Sequence, residues 1–337
     1  MEATQRSEKD LLIASKAFTV ENRVKSWAAL FTTLGVIGGL AALAATLPWY
    51  LALPAAVIQG LTLVRGFCLY HDFQHGALLR NSTVARGIFW LYGELLLVPP
   101  NVWRETHNYH HAHTAKLIGS HIGSYPMLTP KMYLEQPPVK RWLYRAARHP
   151  LNISVALLTV FLIGMCVRPF LRAPKKHWDA AVALVIVGAM SAALIITGHA
   201  WQWLFAYVIP MAVATASGAY LFYAQHNFPE AKVASREKWT FTKAATDSSS
   251  YMQMSPVMHW FTANIGYHHV HHLNAAIPFY RLPEAMAQIP ELQSPGKTSL
   301  KPADVLACFK LKLWDPDANQ MVGYPAEQKL TEARSGL

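Results

Sequence analysis

Charge is scarce in this chain. Only 15% of its 337 residues are Asp, Glu, Lys or Arg, while 53% are hydrophobic. That balance argues against an ordinary water-soluble enzyme, although the length suffices for a large core. Cysteine is rarer still. Cys68, Cys166 and Cys308 stand far apart and form no Cys-x-x-Cys pair, which argues against a disulfide framework and against a cysteine metal site. Lys and Arg are missing altogether from 26–64 and again from 177–231. The first 25 residues have no short apolar core followed by a small-residue cleavage site, so no signal peptide is expected and a cytoplasmic N-terminus is. Internal repeats and low-complexity tracts are absent as well.

What is present fits a bilayer. Net charge is +11 with His neutral, which read alone would suit nucleic acid. The basic residues lie between the apolar runs, however, and no domain-sized basic module is visible. Membrane topology and anionic lipid explain them, and no nucleic-acid partner is expected. Four apolar runs, about 27–47, 51–70, 180–197 and 203–223, are each about the ~20 residues needed to cross. Pro48-Trp49-Tyr50 and the tryptophan-rich 198–203 connect them in pairs, as tight turns at a membrane interface. Residues 83–99 read as a helix lying at the interface and ending in Pro99-Pro100. The run 153–167 has basic flanks and is short of a full crossing. If it crossed, the histidines after it would lie on the far side from those before it, so it is expected to be re-entrant or interfacial. The expected fold is an all-α integral membrane protein. Four transmembrane helices form two hairpins beneath a cytoplasmic helical cap. Residues 1–25 form a cytoplasmic segment on the membrane surface, 26–310 the membrane domain with its cap, and 311–337 a soluble tail.

The cap is expected to carry histidines. His268, His271 and His272 stand at i, i+3 and i+4, as do His107, His110 and His111, and His71 and His75 stand at i and i+4. On helices each set shares one face. Imidazole is the commonest protein metal ligand. Eight of them exceed the three or four of a zinc site and point to two metals, with Fe, Zn, Cu and Ni all open. Glu105 stands two positions before His107, not at the Glu-x-x-His spacing of soluble di-iron bundles. A histidine-dominated dimetal site follows. Asp72, Asn108 and Asn264 are the candidates for holding metal-bound rings through their other nitrogen. His113 and His269 fall off the shared faces and are expected to support the site or lie at the surface. His259, His121, His149, His177 and His199 match no set.

These motifs resemble the membrane-bound fatty acid desaturases. The resemblance runs over about 45–310 and rests on His71-x3-His75, His107-x2-His110-His111 and His268-x2-His271-His272 in that order, with two hairpins between. HDFQHGALLRN, WRETHNYHH, LFYAQHNF and FTANIGYHHVHHLNAAIPFYRLPE look most similar to bacterial acyl-lipid omega-6 (delta-12) type desaturases. What this implies is a non-haem centre of two iron ions on the cytoplasmic face of a bacterial inner membrane. It would use O2 and two electrons to remove two hydrogens from an acyl chain. The resemblance adds His226, in Gln225-His226-Asn227-Phe228, as a ninth ligand, and makes Asn264 a partner that reaches iron through water. The substrate would be an acyl-lipid, acyl-CoA or acyl-ACP. With no haem or iron–sulfur module in sight, electrons would come from a separate donor such as ferredoxin or cytochrome b5. A di-iron hydroxylase or ketolase is the alternative on this scaffold, and a non-catalytic zinc protein the alternative of another class.

Overall fold

A computed structural model describes residues 6–119, 122–235 and 237–325. Four of its helices are long and apolar enough to cross a membrane: Arg23–Thr46, Trp49–Gln74, Trp178–Ile196 and Ala200–His226. They form two hairpins. The first turns at Leu47 and Pro48, both in extended backbone, because Pro48 cannot continue the first helix and presets the start of the next. The second turns at Gly198, whose φ of 81° suits glycine. The chain is therefore an all-α membrane protein with the two hairpins expected of it.

The second span lies at the centre, packed against both the first and the fourth. Gly60 makes the closer approach. A Cβ there would sit 2.6 Å from Val213 Cβ and 2.8 Å from the Pro210 carbonyl, so any side chain would push the fourth span away. The fourth span carries a π-helical stretch, Leu204–Val208.

Residues 153–167 do not join the four. A short helix, Pro150–Ser154, leads into a π-helix over Leu157–Val167 and a last turn at Arg168–Arg172. This segment buries Ile153, Ala156 and Cys166 against its neighbours and leaves Leu158 and Ile163 exposed.

The cap closes one end of the bundle. Its helices include Thr83–Leu95, Pro100–His113, Pro138–Ala147 and His268–Leu273. Two small sheets fasten it: Tyr251–Gln253 runs parallel to Lys297–Ser299, and Leu313–Asp315 antiparallel to Gln320–Val322. The segment expected on the membrane surface packs against the cap. Leu11 and Phe18, both buried, pack with Val270, Leu273 and Ile277 beside the third histidine set. An apolar face on a short helix finds more area to bury in a neighbouring protein core than a lone turn finds alone. Of the expected tail, 311–325 packs by Leu313 onto Tyr133 and Tyr144. Residues 326–337 lie outside the described residues.

Candidate metal centre

Each histidine set sits where local sequence puts a helix end. His71 occupies the last turn of the second span, and His75 is the residue that ends it. The second set belongs to Pro100–His113, which Pro100 opens at a position needing no N–H donor. Asn101 N donates to Asp179 Oδ2 at 2.6 Å, so an acid from the third span caps this helix. The third set lies on His268–Leu273. The turn before it holds Ala263 and Asn264 at φ of 43° and 56°. His226 is the last residue of the fourth span.

The nine imidazoles converge in two groups. His71, His75, His107, His111 and His271 form one, and His110, His226, His268 and His272 the other. Within the first, Nε2 of His107 lies 2.9 Å from that of His71 and 3.0 Å from that of His111, which is 3.2 Å from that of His271. Within the second, His226 Nε2 lies 3.1 Å from His110 Nε2 and 2.9 Å from His268 Nε2, which is 3.1 Å from His272 Nε2. The rings of His111 and His272, one from each group, stack at 4.2 Å.

This arrangement fits metal ions. A neutral imidazole nitrogen has one lone pair or one proton, so His107 Nε2 cannot bond both its neighbours as hydrogen bonds would require. Two nitrogens about 2.1 Å from one ion lie about 3.0 Å apart at a right angle and about 3.4 Å apart at the tetrahedral angle. The shortest spacings here fall close to that range, and all the ligand nitrogens of each group lie within 4.8 Å of one another, so each group can share an ion. His75 Nε2 is buried with no hydrogen-bond partner. Burial first, and neighbouring imidazoles second, hold His75, His107, His111, His268, His271 and His272 well below the usual histidine range. The rings are neutral at pH 7 and their lone pairs are available.

Outer nitrogens orient several rings. With Nε2 turned inward, Nδ1–H of His110 donates to Ser124 Oγ at 2.6 Å, that of His226 to the Ser248 carbonyl at 3.0 Å, and that of His71 to Asp72 Oδ1 at 3.3 Å. Asp72 also accepts from Phe279 N at 2.8 Å, tying the first set to the segment after the third. Trp103 stacks on His107 at 4.4 Å.

The other sequence candidates are placed differently. Asn264 donates to the Phe279 carbonyl at 3.1 Å. Asn108 is exposed on its helix, turned from the groups. His113 stacks on Tyr109 and bonds that residue's carbonyl. His269 is fully buried, yet its Nε2 faces the Leu292 carbonyl at 3.1 Å. Burial brings it down to about 4. His199 lies by the turn between the third and fourth spans, and His121 is outside the described residues. Ser124 and Ser248 were not found from sequence. They sit in loops with no periodicity, and nothing in their spacing marks them.

Comparison with known proteins gives the family. A family model for the fatty acid desaturases matches residues 47–300. A fatty acid desaturase of Bacillus subtilis is 30% identical over 85% of this chain and 81% of its own length. An sn-1 oleoyl-lipid 12-desaturase of Picosynechococcus is 25% identical over 80% of this chain and 77% of its own. An sn-1 acyl-lipid omega-3 desaturase (ferredoxin) of Nostoc is 26% identical over 80% and 76%.

Proposed function

This chain belongs to the fatty acid desaturase family and is an oxidoreductase acting on fatty acyl lipids, and from that premise we propose that it introduces a cis double bond into the acyl chain of a membrane lipid, oleoyl to linoleoyl. The observation carrying the reading is the gathering of nine buried or half-buried imidazoles into groups of five and four at the mouth of an apolar bundle. His71, His75, His107, His111 and His271 would hold one iron, and His110, His226, His268 and His272 the other. The two irons would supply the O2-dependent oxidation, with two electrons from a separate donor such as a ferredoxin. The two hydrogens that leave adjacent methylenes, together with O2, two protons and two electrons, would end as two waters.

The protein's own part is positional. The methylenes in the middle of an alkyl tail offer no charge to recognise, so the reacting carbons must be placed by depth in an apolar channel. The spans supply that surface and the cap covers the metals. Buried rings exclude bulk water, and their outer bonds to Asp72, Ser124 and Ser248 fix which nitrogen faces inward. The active site and both termini lie on the cytoplasmic face of a bacterial inner membrane in this reading.

Expression in a host making only monounsaturated lipids, followed by mass spectrometry of its fatty acids, tests the proposal. A new diene is expected. His271→Ala should abolish it, while His269→Ala should keep a measurable part, because His269 faces Leu292 and not the groups. A hydroxy or keto acid without any diene would show a different oxidation. Zinc alone in the purified protein, with product unaffected by His271→Ala, would remove the iron reading.

A further inference from the structure

Arg148 is 1% exposed and Lys312 is 8% exposed, and neither has a carboxylate within 4.0 Å among the described residues. Burying two cations without a counter-charge is costly, so their bonds should explain them. Lys312 Nζ donates to the Arg148 carbonyl at 2.7 Å. The Arg148 guanidinium lies over the rings of Tyr144 and Tyr223. Its two terminal nitrogens point along separate arms of the backbone.

One arm leads to His226. An Arg148 nitrogen donates to Asn227 Oδ1, and Asn227 directly follows His226 at the end of the fourth span. The Asn227 amide donates in turn to the carbonyls of Cys308 at 2.7 Å and Leu311 at 3.1 Å. The other arm leads to His110. The second nitrogen donates to the Pro126 carbonyl at 2.8 Å, two residues from Ser124, which accepts from His110 Nδ1. Gly123 lets this loop lie against the histidine helix. Its φ is 65°, and a Cβ would collide with the Thr106 carbonyl. His110 and His226 both belong to the group of four, their Nε2 atoms 3.1 Å apart. None of these bonds reaches the group of five.

We infer that Arg148 is a positioning residue that clamps the Ser124 loop and Asn227 together, and so sets His110 and His226 for one metal of the pair and not the other. The inference rests on reading the group of four as an iron site. Asp72, bonded to His71 and to Phe279, serves the group of five, so the two groups are held by separate polar networks.

The test counts iron in the purified full-length protein, and follows its loss to a chelator beside the Mössbauer spectrum of 57Fe-loaded samples. The parent should hold two irons per protein molecule; a parent holding none would defeat the iron reading itself and leave nothing to position. Arg148→Gln should hold about one, with one quadrupole doublet lost. Arg148→Lys should restore part of it, since a point charge can serve one arm but not both. Ser124→Ala removes only the His110 acceptor and should not disturb folding. It should weaken the binding of one iron roughly 10- to 100-fold, as loss of an outer partner does elsewhere, so that this iron is lost first to the chelator, with the other unchanged. Two irons retained by Arg148→Gln, or equal release of both irons from Ser124→Ala, would overturn the inference.

Discussion

Glu94 is fully buried, and neither of its carboxyl oxygens has a hydrogen-bond partner. Burial first, and the Asp179 carboxylate second, raise it from the usual 4.5 to about 8. At neutral pH the folded protein keeps a proton that the unfolded state has released. Between those two values the folded state binds more protons, so stability falls as pH rises through the window and levels off above it. Glu94→Gln keeps the shape and removes that dependence. The variant's melting temperature in detergent should gain on the parent's between about pH 5 and pH 8. A constant difference across that range would mean that the carboxyl is not held neutral. Other single residues were legible in advance by spacing alone. The i, i+3, i+4 rule separated His268, His271 and His272 from His269, which the structure turns to Leu292. The same rule says nothing of Ser124, Asn227 or Arg148, whose roles arise from loops that meet only in three dimensions. Asp72 was visible because it adjoins His71. Asn108 adjoins His107 equally, and one step around a helix left it exposed.

The short N-terminal helix Glu8–Ser15 shows how much an element depends on its neighbour. It is too short to be stable alone, yet Leu11 and Phe18 are buried against Val270, Leu273 and Ile277. Asn274 donates to Ser15 Oγ at 2.9 Å, and Leu79 N donates to Glu21. The segment thus straps the loops that follow the first and third histidine sets. Leu11→Ala should destabilise the cap by about 2–4 kcal/mol, within the range for buried leucines. Hydrogen exchange should rise first at residues 268–277, and unaltered protection there would mean the strap is not holding them. Apolar length made the four spans readable, because a bilayer sets the length. The sequence put the strap segment on a membrane surface, but apolar residues such as Leu11 and Phe18 give only a face to be covered. It does not say whether lipid or protein covers it. The π-helical course of Leu157–Val167 left no sequence signature at all.

At the scale of the molecule, the nine imidazoles all lie at one end of the bundle. The second and fourth spans must therefore end on the same side, which is the parity that denies residues 153–167 a crossing. A reporter fused after Arg172 should report the cytoplasm and one at Gly198 the opposite side. The reverse pattern, or the same side for both, would break the two-hairpin topology. The four-residue group has a further consequence for biogenesis. It closes only when His110 and His226 meet His268 and His272, so no shorter nascent polypeptide can build it. Joining such distant segments carries a loop-closure cost that the metals help to offset on binding. In the proposed iron reading, metal capture would then come late in synthesis. A polypeptide interrupted before its third histidine set would hold an incomplete group of four, and a cell short of iron would accumulate full-length protein whose cap opens more readily to proteases.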